Sequence, residues 1–288
     1  MLGESKFEVL EKVPISCKPK TILIKPPATT TTVLQQMREH GLEFPVIFKP
    51  DLGERGWMVR KMKNELDIGN YLKKIKIDFL VQQLVDLPLE FGVFYVRYPG
   101  EAFGRVTSIV GKEMLSVEGD GVKTLQTLIL EKERAKLQWS SLKVEYQDRL
   151  SHVIPLGEKM ELVSIGNHCL GTKFLNENGL ITEKLSASFD SISKQIGGFY
   201  FGRFDLRVAS LDDLEKGNVQ VLELNGCGAE PAHIYEPGFP FSVALGVLFR
   251  HCHDMYRISK ENHKRGVAYI SFRKARIIYK NFKALTRP

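Results

Sequence analysis

Apolar and polar residues alternate with two periods along this chain. Period-two runs predict strands at 21–25, 44–49, 56–60, 79–84, 91–98, 104–111 and 160–165. Helical spacing predicts helices at 4–13, from the threonines at 29–32 to about His40, at 64–74, from Thr124 to about Ala135 and at 186–196, with two more closing the chain. The last of those threonines are suited to cap the second helix. Residues 136–157 show no clear period and read as helix and loop, and 166–179 is loop-rich. Gly119-Asp120-Gly121 is a strong turn signal. Many predicted strands are joined by short turns, which favours an α+β class with mainly antiparallel sheets over a doubly wound parallel sheet.

Two period-two runs near the C-terminal third carry the most chemistry. They are Gly202-Arg203-Phe204-Asp205-Leu206-Arg207 and Val221-Leu222-Glu223-Leu224-Asn225-Gly226. The polar stretch between them holds Asp212, Asp213, Glu215 and Gly217, so a hairpin is predicted. Alternation places Arg203 and Asp205 on one face, and Glu223 and Asn225 on one face of the partner strand. If those faces coincide, two carboxylates and an amide oxygen converge beside a guanidinium, an all-oxygen set suited to Mg²⁺. The alternative is a surface hairpin with scattered charges.

Weaker signals precede that pair. The run Phe44-Pro45-Val46-Ile47-Phe48-Lys49-Pro50-Asp51-Leu52-Gly53 delivers Lys49 to a strand end before a glycine-bearing loop. A lysine so placed is a point charge for phosphate, with loop amides as further anion donors. It is not a Walker A loop, and a solvent-facing strand-end lysine is the plainer reading. The segment 81–85, with Glu90 after it, can offer backbone groups to a purine edge and a carboxylate to ribose hydroxyls; it is equally an ordinary strand and turn. Lys173 lies in a segment that also holds Asn167 and His168, and His168 alone reads as a hydrogen-bonded structural histidine.

Composition narrows the class. The 288 residues, 43% hydrophobic and 26% charged, match a globular chain with one large core or two smaller ones. No apolar run approaches the ~20 residues that span a bilayer. The four cysteines, Cys17, Cys169, Cys227 and Cys252, are widely spaced, and no secretory leader is visible at the N-terminus. A reduced cytoplasmic setting without structural zinc is therefore expected. The net charge of +7 is uneven: residues 257–288 hold ten Lys/Arg against one acid, Glu261, which gives +9 and leaves −2 for the rest. Such a tail can touch nucleic acid or an anionic membrane surface. The simpler expectation is a solvated helix face with Tyr269, Phe272, Ile277 and Ile278 turned to the body, because basic and apolar residues interleave at helical spacing.

The order of these pieces is that of a strand-end lysine, a hinge, an acidic residue, the Gly-Asp-Gly turn, a second lysine, Arg-x-Asp and Glu-x-Asn. It resembles the ATP-grasp superfamily, and most closely the D-alanine–D-alanine ligase-like and cyanophycin-synthetase-like carboxylate–amine ligases. The resemblance runs from about Ser5 to Pro237. It implies two α+β subdomains clamping ATP, a smaller lid-like one at about 20–90 and a larger catalytic one at about 91–256, followed by a basic helical tail at 257–288. It implies an ATP- and Mg²⁺-dependent reaction, with Mn²⁺ able to substitute, in which a carboxylate becomes an acylphosphate that an amine captures. By the family pattern Lys49 and Lys173 hold ATP phosphates, and Arg55 is placed to reach the γ-phosphate. Gln83, Leu84 and Val85 line the adenine pocket, and Glu90 meets the ribose. Asp205, Glu223 and Asn225 match the Mg²⁺ ligands, and Arg203 matches the arginine that steadies charge at the acyl centre. Expected partners are small-molecule carboxylates and amines, amino acids or peptides among them, with no membrane span and no nucleic acid.

Two departures from the pattern bear on function. Related ligases usually carry an N-terminal Rossmann-like domain before the region matching Ser5, and this chain starts almost there. Truncation, a partner chain or second copy that supplies the domain, or an altered acceptor site is then expected. Glu54, Arg55 and Trp57 also stand where many relatives have small residues, and the segment 226–233 differs from the ligase pattern. The rival functions are a nucleotide-binding regulatory or scaffold protein without turnover, and a nucleic-acid binder acting through the tail.

Overall fold

The structure, a computed structural model, describes residues 4–53, 56–163, 166 and 171–286. The chain divides into two compact units, one formed by Met1–Gly111 with Asn176–Pro288 and the other by Lys112–Leu175.

The first unit opens with α1 (Lys6–Glu11), whose cap Ser5 accepts the Glu8 N–H. Strand β1 (Thr21–Ile24) leads to α2 (Thr30–Glu39), started by a reciprocal capping box between Thr29 and Thr32. Strands β2 (Val46–Pro50) and β3 (Arg60–Met62), helix α3 (Glu65–Leu72) and strand β4 (Phe79–Gln83) follow. The four strands form an antiparallel sheet in the order β1-β4-β2-β3. Val33 and Met37 of α2, with Ile68 and Tyr71 of α3, share a core with Phe48, Phe79 and Val81. The rings of Phe48, Tyr71 and Phe79 lie 5.3–5.5 Å apart. Strand alternation then turns Lys49 and Gln82 to the opposite face of the sheet.

Strands β5 (Leu89–Val96) and β6 (Arg105–Glu113) come next. The second unit contains β7 (Ser116–Glu118), α4 (Leu125–Glu131), α5 (Glu133–Lys136), α6 (Trp139–Glu145) and β8 (Lys159–Glu161). Its core joins Leu115, Leu125, Ile129, Leu142 and Ile154. After β9 (Lys173–Asn176), the first unit resumes with α7 (Glu183–Gln195), β10 (Phe201–Val208), α8 (Leu211–Lys216) and β11 (Gln220–Asn225). It closes with α9 (Phe241–Lys264) and α10 (Phe272–Thr286). Its second sheet runs β11-β10-β5-β6, again antiparallel. On one face Val93, Tyr95, Phe204 and Leu206 pack with Phe189 of α7 and Leu10 of α1. On the other, Phe94, Val96 and Phe201 pack with Ile258 of α9.

The α+β class with antiparallel sheets is therefore as expected. Several elements differ in detail. The connection between β10 and β11 is not a bare hairpin turn but α8, capped by Ser210 and closed by Gly217 at φ 77°. Six residues are too few for a helical period to show. The strand expected at 56–60 begins only at Arg60, and α6 and β9 lie in stretches without a clear pattern. The tail departs from expectation in part. Helix α10 forms, and Ile278 is half-buried, but Phe272 is 85% and Ile277 50% exposed, and Tyr269 stacks on His263, with ring centroids 3.9 Å apart. No hydrophobic cluster of described residues includes α10. Among the described residues no helix is long and apolar enough to cross a membrane.

Candidate functional site

The site is built on a β-bulge. Arg203 pairs with Asn225 and Asp205 with Glu223, but the next pair is Leu206 with Val221. Leu222 is thus the extra residue. The bulge lets Val221 and Leu224, an odd number of positions apart, both enter the core. Glu223 and Asn225 then take the other face, together with Arg203 and Asp205. The Leu222 carbonyl is spared from the ladder. It accepts the Lys49 Nζ at 2.9 Å and Gln82 Nε2 at 3.4 Å. Gln82 Oε1 accepts a second bond from Lys49, at 3.0 Å. Both lysine and amide come from the small sheet, so this carbonyl brings Lys49 to the edge of the carboxylate pair.

Each carboxylate already has a cation. Asp205 receives Arg203 Nε at 3.2 Å and Nη2 at 3.1 Å, and Asn225 Nδ2 at 2.8 Å. Arg203 Nη1 donates to the Glu230 carbonyl at 3.1 Å, which fixes the guanidinium plane. Glu223 lies 3.3 Å from Lys6 Nζ. Burial pushes the Glu223 carboxyl up, and the neighbouring Lys6 and Lys49 more than offset it, so it is held below the usual carboxylate range. Lys6 also donates to the Gly53 carbonyl, while Ser5 Oγ and the Phe7 N–H donate to Asp51 Oδ1 at 3.0 and 2.9 Å. The start of α1 therefore ties the loop after Lys49 to the strand of Glu223.

Burial lowers the Lys49 amine to about 8, with Lys6 acting in the same sense and Glu223 and Asp205 against it. The sign for stability follows from proton binding. Between pH 8 and the ordinary value of 10.5 the unfolded chain holds this proton and the folded chain does not, so stability rises with pH in that window. The unfolding midpoint of wild type should therefore gain on that of Lys49→Met from pH 8 to 10.5. A flat difference would show that Lys49 titrates at its ordinary value.

The structure places the other predicted residues unevenly. Glu90 is buried against Arg207, with Nε at 2.9 Å, and Arg207 Nη1 also donates to the Val85 carbonyl at 3.2 Å. Leu84 and Val85 are half-buried in the connection from β4 to β5. Gln83 is exposed, and its backbone N–H is already bonded to the Lys20 carbonyl at 2.9 Å. Lys173 belongs to the other unit, where its Nζ lies 4.0 Å from Glu113. Glu54, Arg55, Asn167 and His168 lie outside the described residues. Three participants went unread in the sequence. Gln82 and Arg207 were accessible through alternation, since each has the parity of a site residue beside it. Nothing in the sequence marked Lys6 as a neighbour of Glu223.

The donor set fits a hard divalent ion: two carboxylates and an amide oxygen on one face. Among the described residues no group of three or more His, Cys, Asp or Glu side chains is placed to hold a metal. An ion here would draw its remaining oxygens from water and phosphate. The segment beyond β11 is anchored by His233, buried with its Nδ1 2.6 Å from Ser108 Oγ. Desolvation lowers that imidazole below its ordinary value.

No protein-family model matches the chain, and no curated protein matches it in sequence. Solved structures do. A bifunctional glutathione synthetase from Pasteurella multocida is similar at 14% identity and a TM-score of 0.39, over 85% of this chain and 35% of that one. A D-Ala:D-Ser ligase from Enterococcus faecalis is similar at 14% identity and 0.47, over 87% and 62%. A D-alanine–D-alanine ligase from Bacillus anthracis complexed with ATP is similar at 10% and 0.44, over 97% and 68%. The chain thus spans about a third of the first ligase and three fifths of the second.

Proposed function

We propose that the chain is an ATP-grasp ligase that uses ATP and Mg²⁺ to join a carboxylate to an amine through an acylphosphate. The observation that carries this reading is the register of β10 and β11, which sets Arg203, Asp205, Glu223 and Asn225 on one face with Lys49 at its edge. In this reading Asp205, Glu223 and Asn225 hold the ion, which when bound neutralises charge on the β- and γ-phosphate oxygens. Lys49 meets phosphate, and residues 83–85 with Glu90 hold the nucleoside. Arg203 acts at the acyl centre. A preorganised donor of that kind is typically worth ~2.7–4 kcal/mol. Lys6 helps keep Glu223 ionised, and Arg203 orients Asp205, until phosphate and ion arrive. No protein nucleophile is needed, because positioning and charge neutralisation carry the transfer. The free thiols Cys17, Cys227 and Cys252 support a reduced, cytoplasmic setting.

The test is ADP and phosphate release across a panel of amino acids and dipeptides, with hydroxylamine added to trap an activated carboxylate as its hydroxamate. Release that depends on a carboxylate substrate, with hydroxamate formed, is the expected result. Calorimetric ATP binding with no product from any pair would place the chain among nucleotide-binding regulatory proteins instead.

A further inference from the structure

The C-terminal helix carries charge and apolar surface for which the proposed ligase site has no use. Helix α10 holds five basic residues, Arg273, Lys274, Arg276, Lys280 and Lys283, and no acid. At helical spacing Lys283, Arg276, Lys280 and Arg273 fall on one arc, and Phe272, Ala275, Ile278 and Tyr279 on the arc beside it. The apolar side is partly open to solvent, with Ala275 and Ile278 half-buried. Phe272 and Tyr279 are exposed, as is Ile270, at 57%, in the segment leading in. Isolated apolar residues on a surface are ordinary, but an amphipathic helix that joins none of the hydrophobic clusters of described residues, beside a one-signed charge, is not.

We infer that α10 and the segment before it lie along the surface of an anionic lipid bilayer. The two arcs have separate tasks. The basic arc supplies attraction to anionic headgroups, and the apolar arc enters the boundary between headgroups and acyl chains. Tyr269, Phe272 and Tyr279 are the aromatic type favoured at that depth. Fifteen residues of helix are too short to span, so the contact is peripheral. Charge complementarity selects an anionic partner. A nucleic acid would satisfy the basic arc but would leave Ile270, Phe272 and Ile277 in water.

The experiment is flotation of the full chain with vesicles of phosphatidylcholine alone and of phosphatidylcholine mixed with phosphatidylglycerol. Binding to the mixed vesicles only, weakened by salt, is expected. Charge reversal in Arg273→Glu with Arg276→Glu and Lys280→Glu should abolish it, since each basic residue near such a surface contributes about fivefold in affinity. Phe272→Ser with Ile278→Ser keeps every charge and should still weaken binding at low salt; equal binding by that variant overturns the inference. So does absence of vesicle binding, tighter binding to duplex DNA than to mixed vesicles, or a solution dimer that Phe272→Ser dissolves. Unchanged thermal unfolding of each variant keeps the effect on the surface of α10.

Discussion

Alanine at both Asp205 and Glu223 is expected to remove metal-dependent ADP release, a loss of roughly a thousandfold or more, since even one preorganised electrostatic group is worth about a hundred- to a thousandfold. The fold should survive. The core beneath the site is made by Phe204, Leu206, Val221 and Leu224, none of which is altered. Stability should still fall, because Asp205→Ala leaves Arg203 without its carboxylate and Glu223→Ala leaves Lys6 and Lys49 facing each other across the same pocket. The isosteric pair Asp205→Asn and Glu223→Gln separates the two effects. Each retains hydrogen bonding while removing the charge that an ion requires. Singly, each should cost about a hundredfold in turnover, and the pair should be far from additive, because the groups act as one unit. Steady-state ADP release over a Mg²⁺ titration reads the result, with circular dichroism melting as the folding control. Turnover that persists in the double alanine variant would remove both residues from the active centre.

How much of this was visible in the sequence depends on the range of the interaction involved. Strands and caps are local: Thr29 to Thr32 and the apolar positions of β5 and β10 announce themselves by type and spacing. The convergence of Arg203, Asp205, Glu223 and Asn225 was half legible. Alternation fixed which residues share a strand face, but the facing register of two strands is set by the bulge at Leu222, and a bulge has no signature in Val221-Leu222-Glu223. The approach of Lys6 to Glu223 joins residues more than two hundred positions apart and is purely tertiary. Gln82 shows the opposite case. Its parity was readable once Phe79 and Val81 are recognised as core, yet its neighbour Gln83 has the same side chain and draws equal notice. The tail helix was legible but the exposure of Tyr269, Phe272 and Ile277 was not, because periodicity reveals an amphipathic helix and says nothing of whether a surface exists to receive it.

Gly92→Ala should damage catalysis and stability by separable routes. Gly92 sits in β5 between Asp205 on one side and Val110 on the other. Its backbone is not in the left-handed region, so the demand for glycine comes from neighbours and not from φ. A β-carbon there would lie 2.8 Å from Val110 Cγ1, 3.1 Å from Arg203 Cδ and 3.3 Å from Asp205 Oδ1. Val110 is fully buried and its side chain is short, so it cannot swing away, and overpacking of this kind costs about 1–3 kcal/mol. On the other flank the Arg203 stem must move, and with it the guanidinium held by Asp205 and the Glu230 carbonyl. Misplacement of a catalytic group by ~1 Å can cost about a hundredfold in rate. The second substitution Val110→Ala removes the first clash and not the second. Gly92→Ala/Val110→Ala should therefore regain most of the lost melting temperature while ADP release stays low. Recovery of both together would mean that Arg203 is not confined by the space at position 92, and full activity in Gly92→Ala alone would show that the guanidinium has room the structure does not give it.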